Sequence, residues 1–115
     1  MPFRIEYQEV PGEPTPLGYL RGIPPEEHAA IKLKLDLLAS TPIPGWSSFK
    51  WFSSVEAKIR EVRQGDHRVL LCLHPAVIVV LHAFRKQGRK LKRKDIDLAI
   101  ARRNRYLEDS AKKAS

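Results

Sequence analysis

A single cysteine, Cys72, stands among 115 residues. No internal disulfide can form, so the fold must hold by packing alone. The apolar neighbours Leu71 and Leu73 predict an inert core thiol rather than a nucleophile or metal ligand. They also predict a reducing, cytoplasmic setting. Long hydrophobic runs are missing as well. The longest, Ala76 to Leu81, is too short to cross a bilayer. The start, Pro2-Phe3-Arg4-Ile5-Glu6, lacks the apolar run of a signal peptide. A soluble protein with no membrane partner is expected.

The third scarcity is local. Residues 1–84 carry nine Lys/Arg and nine Asp/Glu, whereas residues 85–115 carry twelve against four and supply the whole net charge of +8. Cations gathered at one end create a field that a mixed surface would cancel. An anionic partner is implied, nucleic acid first, with an acidic membrane face or acidic protein as other ways to meet the same field. The length suits one domain over 1–115, large enough to bury about two-thirds of the unfolded chain's surface.

Phe3 to Val10 alternates apolar and polar residues, as a half-buried strand does, and stops at the turn pair Pro11-Gly12. Thr15-Pro16 reads as a cap and first helical residue for a short helix over 17–22. Pro24-Pro25-Glu26-Glu27 opens a stronger helix, with carboxylates where the helix dipole favours them. Ile31, Leu35 and Leu38 share its apolar face, His28 is read as solvated, and the segment 41–45 ends it. Alternation of Val55, Ala57 and Ile59 with charged neighbours predicts a strand. Gln64-Gly65-Asp66 predicts a hairpin turn. A second strand holds Val69, Leu71 and Leu73. After His74-Pro75, the β-branched run 77–81 predicts a central strand buried on both faces. Lys92 to Asp109 is helical. The expected order is strand, helix, helix, three antiparallel strands, helix: an α+β fold.

Seven of the ten residues from Arg85 to Lys94 are cationic. A solvated loop is the plain reading of such a run. Two features argue for phosphate contact: its root lies on a buried strand, and Gly88 lets the backbone turn closely about an anion. Charge alone does not separate RNA from DNA.

The stretch Val79-Val80-Leu81-His82-Ala83-Phe84-Arg85-Lys86, followed by the basic loop and Lys94-Asp95-Ile96-Asp97-Leu98-Ala99, resembles the C-terminal signature of HigB-like toxins in the RelE/ParE superfamily, including the phage-derived killer proteins. There a strand ends Leu-His-Gly-Phe, continues Lys-Lys, and enters a helix through Lys-Glu-Ile-Glu-x-Ala. Ile59-Arg60-Glu61-Val62-Arg63 is similar to the family's Leu-Tyr-Glu-Leu-Arg strand, and His67-Arg68-Val69-Leu70 to its Tyr-Arg-Val-Leu strand. Leu35-Asp36-Leu37-Leu38 is similar to the end of its second helix. The resemblance implies a RelE-like fold: a curved antiparallel sheet, two N-terminal helices packed on it, and a C-terminal helix, in the order β-α-α-β-β-β-α. It implies the toxin of a type II toxin–antitoxin module, a ribosome-dependent endoribonuclease cutting messenger RNA in the A site without metal or cofactor. It also implies a cognate antitoxin of helix-turn-helix, HigA-like type.

Metal-free RNA cleavage needs a base for the ribose 2′-hydroxyl, cations for the charged transition state, and an acid for the leaving 5′-oxygen. Arg68 matches the family's strand arginine and has a planar fork suited to phosphate. By alternation it points away from the Val69/Leu71/Leu73 face, toward an open side of the sheet; a surface ion pair with Glu61 is the alternative. Lys86 and Arg85 stand where the family places a cation after its last strand. Arg89, Lys90, Lys92 and Arg93 extend the RNA contact along the loop, and Arg63 extends it on the strand. Glu61 is a candidate base, or else a carboxylate orienting Arg63 or Arg68. His82 is a candidate acid, or a satisfied histidine between sheet and helix. His67 replaces the family's aromatic residue, to stack on a base or shuttle a proton. Trp46, Phe49 and Trp51 either stack bases or cover the sheet edge. Two departures stand out. The tyrosine that some relatives carry near the start of the last helix has Asp95-Ile96-Asp97 in its place, and the usual Thr-Pro is Leu91-Lys92. A non-catalytic RNA- or DNA-binding protein, or an inactive relative acting through antitoxin binding, is the rival reading.

Overall fold

A computed structural model describes residues 3–114. The chain runs β1 (Arg4–Tyr7), α1 (Pro16–Arg21), α2 (Pro25–Ser40), a 3-10 turn (Ile43–Ser48), β2 (Phe52–Ser54), β3 (Arg60–Gln64), β4 (His67–Leu73), β5 (Val77–Arg85) and α3 (Arg93–Ala114). One five-stranded sheet has the order β1-β5-β4-β3-β2. The α+β class and the two N-terminal and one C-terminal helices are as the sequence predicts.

Two details of the sheet differ from expectation. β1 pairs parallel with β5, so the sheet is mixed rather than wholly antiparallel. The predicted strand over 55–60 is a tight link instead, with Ala57 and Lys58 at φ 49° and 64°. Left-handed backbone at both residues ends the alternation there. A short strand, β2, precedes it and pairs with β3, and β3 starts only at Arg60.

Local chemistry sets the element ends. In the turn at 10–13, Glu13 N–H donates to the Val10 carbonyl at 3.1 Å, with Gly12 at φ 82°. A side chain there would be strained. Thr15 caps α1 by accepting from Gly18 N–H. Trp46 Nε1–H donates to the carbonyls of Leu38 and Thr41, satisfying the end of α2 from a ring that is 1% exposed.

The sheet carries a core on each face. On one, Leu20, Ile31, Leu35 and Leu38 of α1 and α2 meet Val62, Val69, Leu71, Ile78 and Val80. On the other, Ala99 of α3 meets Leu70, Cys72, Val79 and Leu81. β5 is thus buried on both sides, which explains its apolar run. A register shift sets the orientation of the last residues of β5. Leu70 pairs with His82 but Leu71 with Val80, leaving Leu81 as the extra residue of a bulge. Past it the alternation inverts: His82 pairs with Leu70 and Phe84 with Arg68, on the α3 side, while Ala83 joins the α1/α2 side.

Candidate functional site

Glu61, Arg63 and Arg68 lie on the α3 side of the sheet, joined through the β3–β4 ladder, in which Arg63 pairs with Arg68 and Glu61 with Leu70. Glu61 Oε1 accepts from Arg63 Nη1 at 2.9 Å, and its Oε2 lies 3.4 Å from Arg68 Nε. Arg63 is further held by Ser53 Oγ and the Lys50 carbonyl. Arg68 Nη1 donates to the carbonyls of Gly65 and His67, bracing the hairpin turn. The face that alternation assigned to open solvent is therefore partly closed, and Arg68 is only 8% exposed. Its Nη2 has no hydrogen-bond partner among the described residues. Glu61 is taken up by two guanidiniums, which is the orienting arrangement rather than that of a free base.

Phe84, beside Arg68 across the β4–β5 ladder, also lines a cleft of about 150 Å³ with Arg85, Gln87, Lys92, Lys94 and Asp95. Arg68 and the cationic segment thus approach the same side of the sheet. Lys86 N–H donates to the Asp66 carbonyl, which fixes the start of the loop to the β3–β4 turn. Gly88 holds φ 81°, so the loop reverses where a Cβ would be strained. Arg85 is exposed and 3.6 Å from Asp66. Arg89 and Lys90 are exposed, with no partner among the described residues. Lys92 reaches Gln87 at 3.4 Å. Arg93 differs from its neighbours: it is bidentate to Glu56 and also bonded to Asp97, so its charge anchors α3 to the β2–β3 link.

His82 Nε2 is 2.8 Å from Asp95 Oδ1, and the ring stacks on Phe84 at 4.6 Å and 22°. It bridges the sheet and α3. Burial pushes its pKa below the ordinary histidine value, against the pull of Asp95.

His67 faces the other way. Its Nδ1 lies 2.6 Å from Tyr19 Oη and its Nε2 2.6 Å from Glu27 Oε1, linking α1, β4 and α2. At 1% exposure it has no room to stack on a base. Trp46 is core, with Phe3 and Phe52 edge-on to it, and Phe49 stacks on Trp51 at 4.6 Å. Cys72 is buried, and burial raises its thiol pKa.

Sequence reasoning missed Tyr19, Glu27 and Asp95. Glu27 has the signature of a helix-start carboxylate and Tyr19 that of a core aromatic, so nothing local marks their link to His67. The Lys-Asp-Ile-Asp stretch does carry Asp95. Among the described residues no three His, Cys, Asp or Glu side chains converge as a metal site requires, and no helix is long and apolar enough to cross a membrane.

The family model for "Phage derived protein Gp49-like (DUF891)" matches residues 18–104. The chain belongs to the Gp49-like family. That family is of the RelE/ParE-like toxin type, which places this Gp49-like protein in the superfamily without singling out HigB. No curated protein matches the chain. The matched span opens within α1 and closes within α3. It takes in both networks: Glu61, Arg63 and Arg68 with the cationic segment, and Tyr19, Glu27 and His67.

Proposed function

We propose that this Gp49-like protein is the toxin of a type II toxin–antitoxin module and cuts messenger RNA on the ribosome in the A site, without metal. A helix-turn-helix antitoxin neutralises it. The observation that carries the reading is the placement of Arg68, with Nη2 unengaged, on the sheet face that the cationic cleft of Lys92 and Lys94 also borders. In this reading the exposed Arg85, Arg89 and Lys90 draw in the RNA backbone, and Lys86 and Arg68 hold the scissile phosphate. Arg63 and Glu61 keep the Arg68 fork in place. A neutral His82, its Nε2–H turned to Asp95, moves a proton beside the cleft. Arg93 stays with Glu56 and serves the scaffold.

The reading is tested by adding purified protein to a translation extract and mapping message ends. Cleavage in the A site is expected, reduced by at least ~10²-fold in Arg68→Ala, the scale of losing a preorganised transition-state donor. Arg68→Lys keeps the charge without the fork and is expected to stay impaired. Lys86→Ala gives a smaller loss. Thermal unfolding of each variant separates a lost contact from a lost fold. Cutting unchanged in folded Arg68→Ala removes Arg68 from the mechanism.

One observation favours a second reading. Glu61 pairs with the Arg68 guanidinium that cleavage would use, which suits a surface that binds RNA without cutting it. Growth arrest with no new message ends, together with salt-sensitive RNA binding, selects that alternative.

A further inference from the structure

An apolar hollow lies outside the Arg68 cleft, at the edge of the sheet. β1 stops pairing with β5 at Val80, while β5 continues to Arg85. Among the described residues no strand covers that edge further on. α1 approaches from one face and α3 from the other, leaving a cavity of about 430 Å³ with Pro14, Gly18, Ala83 and Leu98 in its walls. That volume lies in the range of small-molecule sites, which are mostly apolar with a few placed polar groups. No residue of the cationic run from Arg85 to Lys94 lines it.

The polar groups at its border are already engaged by the protein itself. Glu13 Oε1 lies 3.4 Å from Arg102 Nη2, so the two opposite charges at the border offset each other. Arg102 is 5% exposed. Its Nη1 and Nη2 donate to the Leu81 and Pro14 carbonyls, and its Nε is sealed from solvent. Tyr19 Oη is held by His67 Nδ1 at 2.6 Å, and Thr15 Oγ1 accepts from Gly18 N–H. His82 Nε2 is bound to Asp95, which leaves His82 Nδ1 with no partner among the described residues. An ion entering this space would meet no free counter-charge, and burying an unpaired charge is costly.

We propose that this cavity is a binding site for an uncharged, largely apolar small molecule. Removal of apolar ligand surface from water against Pro14, Ala83 and Leu98 drives the binding. The paired Glu13 and Arg102 select against ions of either sign. A ligand hydroxyl suits His82 Nδ1 in either protonation state of the ring, because it can donate to a lone pair or accept from an N–H. The inference stands apart from the RNA-directed reading, and either can hold while the other fails.

The test titrates two probes separately into the isotope-labelled full chain at pH 7.5, followed by NMR. One is 2-naphthol, uncharged at that pH; the other is naphthalene-2-carboxylate, an anion of similar shape. Nonspecific attraction to a chain of net charge +8 favours the anion, so a preference for the neutral probe is a property of the cavity. 2-Naphthol is expected to saturate at least about tenfold tighter than the carboxylate, which finds no free counter-charge. The moving signals should include Tyr19, Ala83 and Leu98. Leu98→Trp fills the cavity and should abolish 2-naphthol binding. If that variant does not fold, Leu98→Asp sets a carboxylate in the wall and should weaken 2-naphthol by at least about tenfold. Glu13→Gln, on a side chain that is 47% exposed, removes the charge that offsets Arg102 and should narrow the preference by about threefold. The proposal is overturned by an absence of saturation, by equal or tighter binding of the carboxylate, or by shifts confined to other residues. Full 2-naphthol binding in a folded Leu98 variant, or an unchanged preference in Glu13→Gln, overturns it as well.

Discussion

Among single residues, the two central histidines serve different faces. His67 joins two helices to the sheet, and His82 joins the sheet to the third helix. The His82 pKa is lowered from 6.5 because burial penalises the imidazolium more than Asp95 favours it. The unfolded chain therefore binds its proton at a higher pH than the folded one does. The stability linked to His82 is complete above the unfolded value near 6.5 and is lost as pH falls from there through the lower folded value. Urea unfolding at pH 7.5 and 5.5 is expected to show a larger drop for the wild type than for His82→Gln. Equal drops would assign the acid sensitivity to other groups. The placement of Arg68 on a strand was legible from the hairpin signal and alternation. Its closure by Glu61, Gly65 and His67 was not, since those contacts depend on where the turn folds back.

At the scale of elements, bridging side chains fix the helices more than helix propensity does. Trp46 occupies the 3-10 turn after α2, and its indole satisfies two carbonyls at the helix end while its ring fills the core. Trp46→Ala removes both contributions, and a loss of ~3–5 kcal/mol is expected from urea unfolding. A loss under ~1 kcal/mol would mean that the turn repacks freely, in contradiction of its burial. Side chains tie α3 along its length: Arg93 to Glu56, Asp95 to His82, Arg102 to the Leu81 and Pro14 carbonyls, and Tyr106 to Glu6. The periodicity of Ile96, Ala99 and Ile100 identified the helix, but not these ties.

Across the whole molecule, charge is divided unevenly between solvent and scaffold. Arg93 and Arg102 belong to the cation-rich third yet pair with carboxylates, Arg93 at the surface with Glu56 and Asp97 and Arg102 in the interior with Glu13. Arg89 and Lys90 project from the loop with no partner among the described residues. RNA binding should therefore weaken steeply with salt, and Arg89→Ala combined with Lys90→Ala should reduce the log–log slope by about 1.4, two single-strand phosphate contacts. An unchanged slope in the folded double variant would place the phosphate contacts elsewhere.

Periodicity, turn chemistry and charge count are local, and they sufficed for the α+β class, three helices, the β3–β4 hairpin and the cationic loop. The ordered motifs sufficed for the superfamily. Tertiary structure alone decided the parallel pairing of β1, the bulge at Leu81 that turns His82 and Phe84 toward α3, and the engagement of Arg63, Arg68 and Arg93 by carboxylates. The physical reason is that one unpaired residue inverts every side chain after it. Whether an arginine stays free likewise depends on which carboxylate the chain brings within about 3 Å, at a sequence separation that no local pattern records.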